Sequence, residues 1–122
     1  MRVAGFGFRK GASLESLSDA LARAGGSGGL TALAAPRDKA GAPCLADLAA
    51  RLGLPVRAVS SSDLAAPATL TEAPRVRALR GTGSVAEAAA LAAAGPFAHL
   101  TGPRAVSTDR MATCAIATGD TT

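Results

Sequence analysis

The chain has 122 residues, with 13 Lys and Arg against 9 Asp and Glu for a formal net charge of +4. That length is one ordinary domain, able to bury a core without disulfide staples. Trp and Tyr are absent, Phe6, Phe8 and Phe97 are the whole aromatic complement, and the arginines are scattered, which excludes a stacking single-strand reader, reads as a solvated surface rather than a nucleic-acid footprint, and favours an acidic ligand over a basic one.

Arg2 to Phe8 reads as a short buried strand. Ser13 caps a helix in which Leu14, Leu17, Leu21 and Ala24 recur at helical spacing. The run Gly25-Gly26-Ser27-Gly28-Gly29 stops it. Leu30 to Ala35 is a second strand, ended by Pro36, and Cys44 to Leu52 a second helix, stopped by Gly53. Leu54 to Val59 makes a third strand. Ser61-Ser62-Asp63-Leu64 begins a short helical turn, Ala66 to Pro74 is loop, and Val76 to Leu79 is predicted as a short strand. Ser84 and Glu87 are predicted to form an S-x-x-E capping box for a helix reaching Ala94, terminated by Gly95-Pro96. Phe97 to Leu100 and Met111 to Thr118 are the last strands, and with no helix between them they should pair antiparallel.

Strands alternating with helices across short connections predict an α/β domain over residues 1–118, with a mostly parallel, mixed sheet covered on both faces and a short tail at 119–122. Ligands of such sheets bind beyond the carboxyl ends of the strands. Two glycine turns and the Asp38-Lys39 loop follow strands and could converge there. In the first turn, Gly5, Gly7 and Gly11 permit close backbone approach, Arg9 and Lys10 can meet carboxylates, and Ser13 stands at the helix start. In the second, Gly81, Thr82, Gly83 and Ser84 open the alanine-rich helix, and Glu87 is a candidate general base. Lys39 adds a third cation.

Cys44 and Cys114 stand far apart and read as buried small hydrophobes of a reducing cytosol. His99 is the lone histidine, with no partner spaced to complete a metal site. Neither a metal nor a cofactor is expected. No signal-peptide pattern follows Met1-Arg2, and Glu87, Gly95-Pro96 and His99 interrupt the apolar run near residues 85–100, so a cytoplasmic protein without a membrane span is expected. Nucleotide binding is the weakest reading: G-x-G-x-x-x-G is one residue longer than the dinucleotide fingerprint, although Arg37 and Asp38 follow the second strand.

Gly5-Phe6-Gly7-Phe8-Arg9-Lys10-Gly11 resembles the "G-x-G-x-R-x-G" opening of the CobE and CbiG C-terminal domain family of cobalamin biosynthesis. Leu33-Ala34-Ala35 to Lys39 is similar to that family's "L-A-T-x-x-x-K". Ala49 to Pro55 with Val59-Ser60 to Leu64 is similar to its "A-x-x-L-G-L-P … x-S-x-x-x-L". Gly81 to Ala90 resembles its most distinctive stretch, "G-x-x-S-V-A-E-A-A-A", and Cys114 to Ala117 part of its closing "V-T-x-A-I-A". The resemblance implies a three-layer α/β/α sandwich that handles corrin-ring intermediates carrying acetate and propionate chains, with other enzymes of the pathway as possible partners. The longer CbiG proteins carry an N-terminal region and open a precorrin δ-lactone, releasing acetaldehyde. With no room for that region, this chain is expected to be the stand-alone form of the oxygen-dependent pathway, binding or escorting a corrinoid; hydrolysis of the lactone is the alternative. Two departures stand out. Arg104 occupies the place of a family lysine, and Thr113-Cys114 stands where the last strand reads Val-Thr.

Overall fold

Period-two alternation along the first strand, β1 (Arg2–Phe8), sends Ala4 and Phe6 to one face and Val3, Gly5 and Gly7 to the other. The computed structural model describes residues 1–67, 69–80 and 82–119, and the tail residues 120–122 lie outside them. Helices α1 (Leu14–Ala24) and α2 (Pro43–Leu52) cover the first face, and β2 (Ala32–Pro36) and β3 (Val56–Val59) continue the sheet. Helices α3 (Ser61–Ala65) and α5 (Val85–Ala94) cover the second. Between those two, α4 (Pro74–Arg80) buries no residue. The chain ends in β4 (His99–Leu100), β5 (Ala105–Val106) and β6 (Ala112–Thr118).

The sheet order is β3-β2-β1-β6-β4, with β5 also paired to β6. Pairing is parallel from β1 to β2 and β2 to β3, and β6 runs antiparallel to β1, β4 and β5. Five strands therefore share one direction and β6 opposes them. The fold is the mixed α/β sandwich that the alternation of elements predicts.

Phe6, Leu17, Leu33, Leu45, Leu48, Cys114 and Ile116 fill the α1/α2 side, while Val3, Ala34, Leu64, Ala89, Ala90 and Ala117 fill the α5 side. Alanine makes the second layer thin. A Cβ at Gly5 would collide with the Ala86 carbonyl and the Ala90 amide, so α5 lies on the bare backbone of β1. Burial pushes the Cys114 thiol pKa up, which leaves an inert packing group.

Two local expectations change. Residues 76–79 are helical: Pro74 suits a first helical turn, and Arg77 N–H donates to the Ala73 carbonyl at 2.9 Å. The expected strand at 97–100 forms only at its last two residues. Beyond it the edge bulges, because four residues from Thr101 to Arg104 face two, Ala115 and Ile116, between the pairs Leu100↔Ala117 and Ala105↔Cys114. Among the described residues, no helix is long and apolar enough to cross a membrane.

The Gly5 contact predicts that Gly5→Ala destabilises by about 2–3 kcal/mol or more, since backbone rather than a movable side chain must yield. Gly41→Ala, with open space around its Cβ, should change urea unfolding little. Equal midpoints for the two variants would refute close α5–β1 packing.

Candidate functional site: a basic cleft at the carboxyl ends of β1 and β2

Phe8 and Pro36 close β1 and β2, and beyond them opens a cleft of about 440 Å³. Arg9, Lys39, Arg75, Arg80, Arg104 and Arg110 line it, with no acidic side chain among the lining residues. They come from four places: the end of β1, the β2–α2 loop, α4, and the two ends of the β5–β6 hairpin region. Phe8, Val85, Leu79 and Met111 supply an apolar surface between them. The Lys39 ammonium sits 5.3 Å from the Phe8 ring centroid, a cation–π contact that holds it over the floor.

Of the six cations, Arg80 alone is ion-paired among the described residues. Its guanidinium meets both Asp38 oxygens at 2.7 and 2.9 Å. Hydrogen bonding from Arg80 holds the Asp38 carboxyl below its ordinary value, and the same bond raises Arg80. This fork ties α4 to the β2–α2 loop. A second pair, Arg77 with Glu72, braces the start of α4.

Behind the cleft, Glu87 departs from the expected capping box. Ser84 Oγ does accept the Glu87 amide at 3.3 Å, but the carboxylate does not return to the cap. Fully buried, it accepts the Leu70 and Thr71 amides at 2.7 and 2.8 Å, the Thr71 hydroxyl at 2.6 Å and the Arg104 amide at 2.8 Å. Burial alone would raise its pKa. The Thr71 hydroxyl and the three amides outweigh burial, so the carboxyl lies below its ordinary value. A carboxylate saturated by four donors and shielded from solvent is a poor proton acceptor; its work here is to hold the 70–71 loop and the bulge at Arg104. The complete reciprocal box belongs to α1, where Ser13 and Ser16 cap each other.

Among the residues expected to bind a ligand, the cleft gathers Gly7, Arg9, Lys39 and Arg104. Gly5 lies beneath α5, and with Gly7 inside β1 the glycine spacing forms no phosphate loop. Lys10 and Gly11 are exposed and outside the cleft lining, Gly11 in a turn with φ +93°. Ser13 is occupied as a cap. Thr82, Gly83 and Ser84 form a buried turn in which Gly83 makes room for Thr71 and Glu72. Gly81 lies outside the described residues. His99 is exposed on β4, away from the cleft, and no group of His, Cys, Asp or Glu able to hold a metal occurs among the described residues.

The lining residues that sequence reasoning misses are mainly Arg75, Arg80 and Arg110. The signal for the first two was the Arg-rich run 75–80, which points one way as a strand and another as a helix.

The sequence profile of the family described as Cobalamin synthesis G C-terminus matches residues 2–117. The chain belongs to that family. Its place is therefore in cobalamin biosynthesis. Within the solved structures, it is similar to CobE, a protein of the cobalamin (vitamin B12) biosynthetic pathway, at 34% identity and a TM-score of 0.80, over 96% of this chain and 89% of that one. It is also 34% identical to the cobalamin biosynthesis protein chiG of Agrobacterium tumefaciens, with a TM-score of 0.72, over 98% and 99% of the two chains. A putative cobalamin biosynthesis protein G homolog from Sulfolobus solfataricus shares the fold at 22% identity and a TM-score of 0.71, with 98% of this chain spanning 37% of that longer one. A search of curated proteins gives no match.

Glu87→Gln turns an amide N–H₂ toward at least one donor, and we predict a loss of about 3 kcal/mol, or roughly 10–15 °C in Tm. Because the folded-state pKa lies below 4.5, the Glu87 contribution is complete above about pH 4.5 and is lost as pH falls through the folded value. Acid unfolding of the variant should therefore be less steep than that of the parent. An unshifted Tm would show that the carboxylate does not hold this wall.

Proposed function

We propose that the cleft binds a corrin-ring intermediate of cobalamin biosynthesis through its acetate and propionate carboxylates, as a binding or escort protein. The observation that carries this reading is six basic side chains around one open cleft with no acid among its described lining residues. Guanidinium forks suit carboxylates, and several spread around a rim suit a ligand whose carboxylates are spread around a ring. Phe8, Val85, Leu79 and Met111 offer the apolar contact that a macrocycle face needs. Other enzymes of the pathway are the natural recipients of such a cargo.

Hydrolysis of a precorrin lactone is the second reading, and the same lining speaks against it. Among the described residues the cleft lining contains no Asp, Glu, His, Ser or Cys. Its one hydroxyl, on Thr113, already donates to the Gly7 carbonyl at 3.2 Å. A nucleophile–base pair, which lactone opening would use, is missing from the described residues of the cleft.

The test is a titration with hydrogenobyrinic acid followed in the visible, where the ring absorbs and the polypeptide does not. We predict saturable binding without spectral conversion, weakening as salt rises. Arg9→Glu should lower affinity at least tenfold and Lys10→Glu much less, because Arg9 lines the cleft and Lys10 does not. Affinity unchanged across salt and in Arg9→Glu would place the ligand elsewhere. A time-dependent new spectrum would favour the enzyme.

A further inference from the structure

Arg110 has φ +61°, and among the described residues no other non-glycine has positive φ. The left-handed region is uphill for an ordinary side chain, and Gly or Asn would occupy it more cheaply. The turn that imposes it is fixed from several sides. Arg110 N–H donates to the Ser107 carbonyl, and Ser107 N–H to the Ala112 carbonyl, both at 2.9 Å. Asp109 accepts the Ser107 hydroxyl at 2.6 Å, the Met111 amide at 3.0 Å and the Ser16 hydroxyl of α1 at 2.5 Å. Asp19, also on α1, accepts the Thr108 amide at 2.6 Å. Arg9 N–H donates to the Met111 carbonyl at 2.9 Å, which fastens the turn to the end of β1.

None of these bonds uses the Arg110 guanidinium, which has no ion pair among the described residues and lines the basic cleft. The fold thus holds a long cation on a backbone site better suited to glycine, and directs it to where five other cations meet. Solubility does not ask for that placement, since any exposed position would serve.

We propose that Arg110 is a ligand-binding residue, presented from a rigid turn as a preset clamp for one carboxylate at the mouth of the cleft. The inference rests on the polycarboxylate reading above and adds to it a specific role for one of the six cations and a reason for the turn. A fixed backbone leaves only the side chain to be ordered on binding, so less entropy is lost than with a mobile loop.

The experiment compares wild type, Arg110→Gly and Arg110→Lys by Tm and by affinity for hydrogenobyrinic acid. Arg110→Gly should raise Tm by a few degrees, as the left-handed site is relieved, and weaken binding about tenfold. Arg110→Lys keeps the charge and the backbone penalty but loses the fork, so Tm should stay near that of wild type and affinity should fall by less than in the Gly variant. Binding by wild type and by Arg110→Gly with equal affinity would overturn this proposal while leaving the function standing. A wild-type protein that does not bind the acid would overturn both.

Discussion

A buried carboxylate without a cation is the constraint on which the cleft depends. Moving an ionised carboxylate out of water is costly unless other dipoles replace its hydration. Glu87 finds those dipoles in three amides and one hydroxyl, drawn from the 70–71 loop and from the edge bulge. Its own place on α5 is set by close contact between α5 and the glycine backbone of β1. The chain of dependence therefore runs from an alanine-lined helix, through one acid, to the wall that carries Arg104. Gly83 belongs to the same arrangement, because the segment that feeds Glu87 crosses directly over it.

The acids are used in a consistent way. Glu87, Asp109 and Asp19 each accept backbone amides beside a cleft arginine or in its turn without pairing with that arginine's guanidinium, Asp19 meeting Arg23 of its own helix instead. Among the described residues only Asp38 neutralises a lining cation, and that pair fastens α4, a helix that buries no residue, to the β2–α2 loop. A modest net charge of +4 is in this way converted into a strongly positive local field. Whole-chain charge understates what a ligand approaching this edge would meet.

Much of the scaffold was legible because it is written in short-range terms. Ser13, Gly25, Gly53 and Ser84 mark helix ends by chemistry that needs no partner elsewhere, and the apolar runs of β1, β2 and β6 are those of buried strands. The converging edge was legible for the same reason, and Arg9, Lys39 and Arg104 do meet there. Other features depend on distant residues. Arg75-Val76-Arg77-Ala78-Leu79-Arg80 satisfies a period of two as well as a helical face, and the Asp38 fork that anchors it lies some forty positions away. Glu87 fits a local capping box perfectly well until the Thr71 and Arg104 donors compete for it. Gly5 reads as part of a turn because nothing local announces that α5 will lie on it.

The bulge from Thr101 to Arg104 has an effect beyond the cleft. A sheet edge with a long row of free amides and carbonyls invites another chain to add a strand. Here that edge is split into β4 and β5, two residues each, on either side of a projecting Gly102-Pro103. The opposite edge, β3, is only four residues long and carries exposed Arg57. The kink that brings an amide to Glu87 thus also denies neighbouring molecules a template, which makes runaway strand addition difficult for a protein so rich in small apolar residues.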